Sequence, residues 1–277
     1  MRSTDLFAKR TIQPTYLHTM KLYIPTYKRP DTQKTWDNLP DFVKEFTYLV
    51  CGEEEREIHE SAGRQVWVHP EGFHRIAPKR QWIVENTSDQ KIVMADDDLS
   101  FRCREDGSYK LRPMQDDDFR AMFDSLEEEL DNYAAVGVSS QAGNNRSFPA
   151  TILSPARMFT MYALRADTLL KENIRFDDIP VMEDFHVALS LLRKGYPNAI
   201  VQNWCWSQSK SNAKGGCSEF RSSEVQTQAA IRLSELHAPF VTVVEKESKS
   251  WAGDLATRTD VRVAWKKALE WGLANAM

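Results

Sequence analysis

Four residues that favour burial run straight into three carboxylates in the stretch Lys91-Ile92-Val93-Met94-Ala95-Asp96-Asp97-Asp98-Leu99. A short apolar run with polar flanks reads as a strand buried on both faces, the kind that sits inside a parallel sheet. Ligands in open α/β sheets collect just outside the C-terminal ends of such strands, so the acid triplet stands where a site belongs. Three adjacent acids repel one another and lose hydration if even partly enclosed, and a cation is the natural remedy. Hard oxygen ligands suit Mg²⁺ or Mn²⁺, ions that usually bridge protein carboxylates to substrate phosphates. The alternative is a solvated acidic turn, and the buried run before the triplet argues against it.

The neighbouring stretches supply the rest of the sheet. Lys21–Pro25, Phe46–Val50 and Val66–Val68 read as strands. Helical spacers are expected over Thr35–Leu39, Glu53–Glu60 and Gly72–Asn86, with Pro78 near the start of the last, where proline is tolerated. Strands alternating with helices give an α/β fold with a doubly wound, mostly parallel sheet. Asp116-Asp117-Asp118 precedes apolar residues at helical spacing (Phe119, Met122, Phe123, Leu126) and reads as a helix start. Strands are expected over Ala134–Val138, Phe159–Leu164 and Ala199–Val201. A helix is expected from Glu183, stopped at Lys194-Gly195. Helices over Glu224–His237 and Asp260–Ala274, with a short strand over Phe240–Val244, close the chain. The expected division is a lead-in over 1–19, a main domain over 20–222 with halves at 20–100 and 101–222, and a small α-rich C-terminal extension over 223–277.

With 42% apolar and 27% charged residues the chain has the material for a packed core. Its formal charge of −4 gives no global pull towards nucleic acid, though a local basic patch remains compatible with that value. Cys51, Cys103, Cys205 and Cys217 are scattered without zinc or redox spacing, as in a reduced, cytoplasmic protein. No apolar run reaches membrane-spanning length and the N-terminal residues carry no signal-peptide pattern. Cytoplasmic localisation, no membrane and no obligate protein partner are the expectations.

Arg80 on a helix, then the apolar strand, then Asp96-x-Asp98, resembles the nucleotide-sugar half of GT-A glycosyltransferases, family-2-like members in particular. The turn Ile24–Pro30 matches where such enzymes begin to hold the nucleotide. Glu183-Asp184, opening a helix that ends Leu191–Gly195, resembles the family's E-D element. A narrower likeness lies in His74–Trp82, Phe176–His186 and the Gly215-Gly216-Cys217 loop, which look like phage TET-associated glycosyltransferases. That family is implicated in putting sugars on hydroxymethylated pyrimidines of phage DNA.

The resemblance implies a nucleoside-diphosphate sugar as donor, a UDP-sugar by preference, with Mn²⁺ or Mg²⁺ held by Asp98 and Asp96. It implies nucleotide-sugar contacts from Pro25, Thr26, Tyr27, Arg29, Arg80, Asp96, Asp97, Gly215 and Gly216. Asp184 would be the base that takes the acceptor's proton, and Glu183 would orient substrate or the helix start. The acceptor would be 5-hydroxymethylcytosine in DNA, met flipped out or single-stranded. Each assignment has a plainer counterpart: Arg80 as a helix-surface cation, Lys28 and Arg29 as turn residues, Glu183-Asp184 as an acidic helix N-terminus. Gln141, Asn144, Asn145 and Arg146 could read hydroxyls or be a solvated loop. Trp204 and Trp206 could floor a lid formed by Lys210–Gly216, with a core role for at least one of them. The cations and tryptophans after Arg193, among them Arg221, Arg258 and Trp251, could approach DNA or form an ordinary mixed surface.

Three departures qualify the likeness. Gln81 stands where Asn often follows the helix Arg, the Q-x-x-R-W element of polysaccharide synthases is absent, and no third metal ligand is identifiable, His237 being a weak candidate. Rival functions are transfer to a protein, lipid or glycan, a metal-dependent nucleotidyltransferase or phosphoesterase, and a binding module without turnover.

Overall fold

A computed structural model describes residues 20–144, 152–208, 215–247 and 257–276. The chain enters on β1 (Lys21–Pro25) and passes through α1 (Lys34–Asn38) and α2 (Asp41–Lys44) to β2 (Thr47–Cys51). It continues through α3 (Glu53–Ser61) to β3 (Val66–Val68), then α4 (Ile76–Asn86) and β4 (Lys91–Ala95). These four strands pair in parallel in the order β3-β2-β1-β4. Ile92, Val93, Met94 and Ala95 are all fully buried, as an apolar run without alternation requires. Helix α4 begins at Ile76 rather than Gly72, so Pro78 falls in its first turn, where no helical hydrogen bond is lost.

A hairpin of β5 (Leu99–Arg104) and β6 (Leu111–Pro113) follows, then α5 (Asp116–Glu129), β7 (Ala135–Ser140), α6 (Gln141–Asn144) and β8 (Ile152–Leu153). Next come β9 (Met161–Arg165), α7 (Ala166–Lys171), α8 (Glu183–Arg193) and β10 (Asn198–Gln208). The sheet extends as β4-β9-β7-β10-β5-β6 and is mixed in this half, β7 and β10 alone pairing in parallel. Antiparallel β9 lies beside β4 with Met161 opposite Ala95, and the Asp96 amide donates to the Thr160 carbonyl at 2.9 Å. That pairing fixes where the acid triplet emerges. Helix α5 starts at the second triplet, where Gln115 and Asp118 form a reciprocal capping box.

Helices cover both faces of the sheet. Phe119, Met122, Phe123 and Leu126 of α5 pack on one face, with Leu22, Val93 and Trp206. Trp82, Ile83 and Val84 of α4 and Val187, Ala188 and Leu191 of α8 pack on the other. Trp204 and Trp206 are both core residues, Trp206 Nε1 donating to the Val138 carbonyl at 2.8 Å, so neither floors a lid. The late strand expected over 199–201 is the long β10, carried on to Gln208 by its pairing with β5.

A 3-10 turn (Gly216–Glu219) leads into α9 (Ser223–Leu236), β11 (Val241–Glu247), β12 (Thr257–Val263) and α10 (Trp265–Asn275). The helix expected from Asp260 is a correction: Thr257, Thr259, Val261 and Val263 alternate as a strand pairing with β11, and α10 begins only at Trp265. The extension is therefore a two-stranded sheet between two helices. Ala230, Leu233, Phe240, Val261 and Ala268 dock it onto Phe185, Leu189 and Leu192 of α8. All four cysteines are free, and no helix among the described residues is long and apolar enough to cross a membrane. The lead-in 1–19, Asn145, Arg146, Lys210, Lys214 and Trp251 lie outside the described residues.

Helix α10 meets the end of α8 at Gly272. A Cβ there would drive into the Leu192 carbonyl and come within 2.8 Å of the Gly195 nitrogen, backbone that cannot yield as a side chain would. Gly272→Ala is expected to cost about 2–3 kcal/mol through overpacking. A thermal melt would show it as a lower midpoint despite alanine's better helix propensity.

Candidate active site

Strand ends and helix starts meet at one edge of the sheet. β1 delivers Pro25, Thr26 and Tyr27, β4 delivers Asp96, Asp97 and Asp98, α4 presents Lys79 and Arg80, and α8 opens with Glu183 and Asp184. These residues line one cleft of about 340 Å³, with Arg29, His74, Phe220 and others on its walls. Thr160 (φ 68°) and Met182 (φ 63°) hold left-handed backbone directly before β9 and α8. Such conformations cost about 1–3 kcal/mol each and are sustained by the packing around them.

Arg80 ties the cleft floor together. One guanidinium nitrogen donates to Glu183 Oε1 at 2.6 Å, another to Asp96 Oδ1 at 2.7 Å, and the ring of Tyr162 lies 5.5 Å from the guanidinium carbon. The Arg80 side chain is 4% exposed, so it is not a surface cation. Burial opposes its charge, but Tyr162, Glu183, Asp96 and Asp184 outweigh burial and hold it protonated.

Asp97 lines the cleft but is buried and bonded on its own side. Its oxygens accept from Thr26 Oγ1 at 2.8 Å and from Arg29 at 2.6 Å, while Gln33 Nε2 donates to Thr26 Oγ1 at 2.7 Å. Arg29 also donates to the Gly215 carbonyl at 3.1 Å, and the Gly216 amide donates to the Tyr27 carbonyl at 2.8 Å. At Gly215 (φ +83°) a Cβ would meet Arg29 Cγ at 2.8 Å and the Lys28 carbonyl at 3.0 Å, which is why glycine stands there. Lys28 pairs with Glu219 at 3.0 Å, and Tyr27 stacks on Phe220 with centroids 5.4 Å apart. The 215–220 segment is thus fastened to the turn after β1 by backbone, charge and ring contacts. Asp97 and Arg29 line the cleft while bonded to each other, and Arg29 ties them to Gly215.

Asp98 makes no side-chain hydrogen bond among the described residues. Burial and then the neighbouring Asp97 charge push its carboxyl up to about 6, with Arg29 pulling the other way. Burial likewise pushes Asp96 up to about 6 against the pull of Arg80. Lys79, beside Arg80 on α4, is 1% exposed, donates from Nζ to the Thr26 carbonyl, and is lowered by burial to about 8.

Across the cleft Asp184 is 14% exposed and lies 3.9 Å from Arg157. The Arg157 guanidinium rests on the rings of Phe159 and Phe185 at 4.3 and 4.1 Å. Arg221, Gln226, Arg258 and Asp260 complete this wall, three of them from the C-terminal extension. Among the described lining residues, Arg29, Lys79 and Arg80 accompany Asp96, Asp97, Asp98 and Glu183, Arg157 and Arg258 accompany Asp184 and Asp260, and Arg221 acts on Glu183 as well as on Arg157.

Some sequence candidates lie elsewhere. Asn144 is fully buried, donating to the Gln202 carbonyl at 2.7 Å and accepting from Arg104, so it is structural and reads no substrate. Gln141 is not among the cleft-lining residues. His237 is engaged by His186 at 2.9 Å, His186 in turn meeting Asp178 at 3.1 Å, which removes His237 as a metal ligand. Lys79, His74, Phe220 and Arg157 had no role assigned from sequence. Lys79 carried one usable signal, its position next to Arg80 on a helix; nothing local to Arg157 marks it.

No group of three or more acid, histidine or cysteine side chains converges as a metal site among the described residues. Mg²⁺ and Mn²⁺ commonly take only one or two carboxylates and complete their shell with substrate phosphates and water. Asp98, with Asp96 beside it, and the acids gathered at the strand tips fit an ion that arrives with a phosphate ligand.

A family model described as TET-Associated Glycosyltransferase matches residues 20–216. The chain belongs to that family. Its relatives include the β-glucosyl-HMC-α-glucosyl-transferases of Enterobacteria phages T6 and T2, 26% and 25% identical over 233 residues, covering 78% of this chain and 80% of each relative. Among solved structures, residues 1–349 of S. aureus TarS in complex with UDP-GlcNAc superpose with a TM-score of 0.51 at 12% identity. The match covers 78% of this chain and 66% of that one. The fold is GT-A and the chain is a glycosyltransferase.

In this glycosyltransferase, Arg80→Met would leave Glu183 buried and Asp96 without their shared cation. Removing one partner of a buried pair costs about 3–5 kcal/mol. Denaturant unfolding should register that loss, whereas Lys28→Met, at a solvent-exposed pair, should leave the midpoint nearly unchanged.

Proposed function

We propose that the enzyme moves a sugar from a nucleoside-diphosphate sugar, UDP-linked by preference, to the hydroxyl of 5-hydroxymethylcytosine in DNA. The observation that carries this reading is the single cleft in which the Asp96–Asp98 tips face Asp184. The phage relatives, named β-glucosyl-HMC-α-glucosyl-transferases, support an acceptor built on hydroxymethylcytosine, and UDP-GlcNAc in the TarS structure supports the donor class. In this reading 20–100 serves the donor and 101–222 the acceptor, with 223–277 as an extension that helps wall the acceptor side.

In this reading Asp98 and Asp96 would hold Mn²⁺ or Mg²⁺, which when bound supplies positive charge beside the departing diphosphate. Arg80 keeps Asp96 and Glu183 in fixed positions, so neither has to reorganise as charge develops. Thr26 and Tyr27 border the nucleotide, and the Gly215–Gly216 segment closes that end. Asp184 takes the proton of the attacking hydroxyl while the new glycosidic bond forms and the bond to the diphosphate breaks. A two-metal nucleotidyltransferase would need a second acid cluster, and the described residues carry none.

Transfer of radiolabelled sugar to a hydroxymethylcytosine oligonucleotide, with unmodified DNA as control, tests the reading. Asp184→Asn and Asp98→Asn should each lower kcat by about 10²–10⁴, the usual worth of a positioned base or charge-stabilising group. Equal transfer to protein or lipid acceptors, or full activity in Asp184→Asn, would overturn it.

The raised carboxyls set a pH dependence. A folded-state value near 6, above the ordinary aspartate value, means the metal-free fold loses stability as pH rises from about 4 to about 6. A bound cation needs both groups deprotonated and so competes with their protons. Addition of MnCl₂ with UDP should raise the melting temperature at pH 7.5, and the gain should shrink as pH falls below about 6.

A further inference from the structure

Among the described residues, the acceptor wall carries an arginine, Arg157, held by rings rather than by a close carboxylate. Asp260 is already met by Arg258 at 2.8 Å and by Lys246 at 3.4 Å. Asp184 has Arg157 at 3.9 Å, too long for a hydrogen bond. Arg221 lines the same cleft and acts on Glu183 as well as on Arg157. The cations that act most strongly on Asp96 and Asp98 are Arg80, Arg29 and Lys34, so a donor diphosphate seated there does not call on Arg157 or Arg258.

Arg157 is the best placed to grip a ligand. Phe159 and Phe185 hold its guanidinium carbon at 4.3 and 4.1 Å from their ring centroids, which restrains the group without consuming its N–H donors. It is 44% exposed, at the mouth of the cleft, while Arg258 is 7% exposed and deeper. A planar fork of donors restrained in this way matches a phosphate oxyanion better than a lysine would. When a base leaves its strand and places an exocyclic hydroxyl beside Asp184, its own phosphodiesters stay behind at the mouth.

We infer that Arg157, with Arg221 and Arg258, forms a subsite for the phosphodiester flanking the acceptor nucleotide. The inference rests on the DNA-acceptor reading and adds the group that distinguishes a base in a strand from a free nucleoside. It also gives the extension a part in acceptor choice, since Arg258 lies on β12.

Two acceptors separate the cases: 5-hydroxymethyldeoxycytidine, which has no phosphate, and a short single-stranded oligonucleotide containing the same base. Arg157→Ala should raise KM for the oligonucleotide about tenfold more than KM for the nucleoside, the worth of one charge-assisted hydrogen bond. The salt dependence of oligonucleotide binding should weaken by a slope of roughly 0.7 for each phosphate that is no longer neutralised. Arg258→Gln should act in the same direction. Equal losses on the two acceptors would mean that Arg157 merely positions Asp184, and would overturn the inference while leaving the proposed function intact. Loss of the stabilisation given by UDP with Mn²⁺ would assign the phosphate to the donor and overturn it too. Wild-type enzyme that transfers to neither acceptor would refute the DNA reading and the subsite with it. Should Arg157→Ala not fold, Arg157→Lys keeps the charge without the fork, and is expected to raise the KM ratio by less while retaining the salt slope.

Discussion

One buried cation holds the site in register. Arg80 projects from α4, crosses the tip of β4 and reaches the first turn of α8, binding Asp96 and Glu183 at once. The two acids come from distant segments, on elements that share no backbone pairing. Taking three charges out of water is expensive, and the attraction offsets that cost only because the geometry is bidentate and enclosed. What the bridge contributes is position. The strand tips and the helix carrying Asp184 cannot drift apart without exposing an unpaired charge. A glycosyl transfer in which leaving group and nucleophile approach from different walls depends on that separation being constant.

Around this bridge the cleft differs from end to end. The Thr26–Arg29–Asp97–Gly215 web uses one acid of the triplet to fasten the loop that follows β10 onto the turn that follows β1. The triplet therefore divides its labour: the middle residue ties chain segments together, while its neighbours border open space. The strand ends at Ala95 and Asp97 and Asp98 lie in the turn that follows, so the split comes from that turn and from the Thr26 and Arg29 donors that take up Asp97. The acids gathered at the tips and the ring-held Arg157 beside Asp184 give the cavity unlike ends rather than a uniform lining.

Much of this was legible in the residues. The apolar run 91–95 located the central strand, and the helix start at 116 and the stop at Gly195 follow from capping and backbone rules that act locally. Arg80, Asp96 and Glu183 could be singled out by order along the chain, but not their mutual contact, which is a property of tertiary packing. Sequence patterns failed where a neighbour decides the conformation. Residues 257–263 pair with β11 despite the helical residues that follow, and β10 is lengthened by β5. Asn144 was a reasonable hydroxyl reader until the fold closed over it. Lys79 had only its place beside Arg80 to mark it and Arg157 had nothing, because their character comes from what surrounds them: burial beside the Thr26 carbonyl, Glu55 and Tyr27 in one case, two aromatic rings in the other.

The family match ends at residue 216, yet Gln226, Arg258 and Asp260 lie beyond it and face the same cavity. In the proposed reading the matched part of the chain would carry the chemistry, and the tail seated on α8 contributes lining to the same cleft. Such an arrangement would let selection rework the choice of recipient by exchanging one hairpin and two helices, with the sugar-nucleotide machinery left as it was. Chimeras joined near residue 222 would then inherit their reaction from one parent and much of their taste from the other.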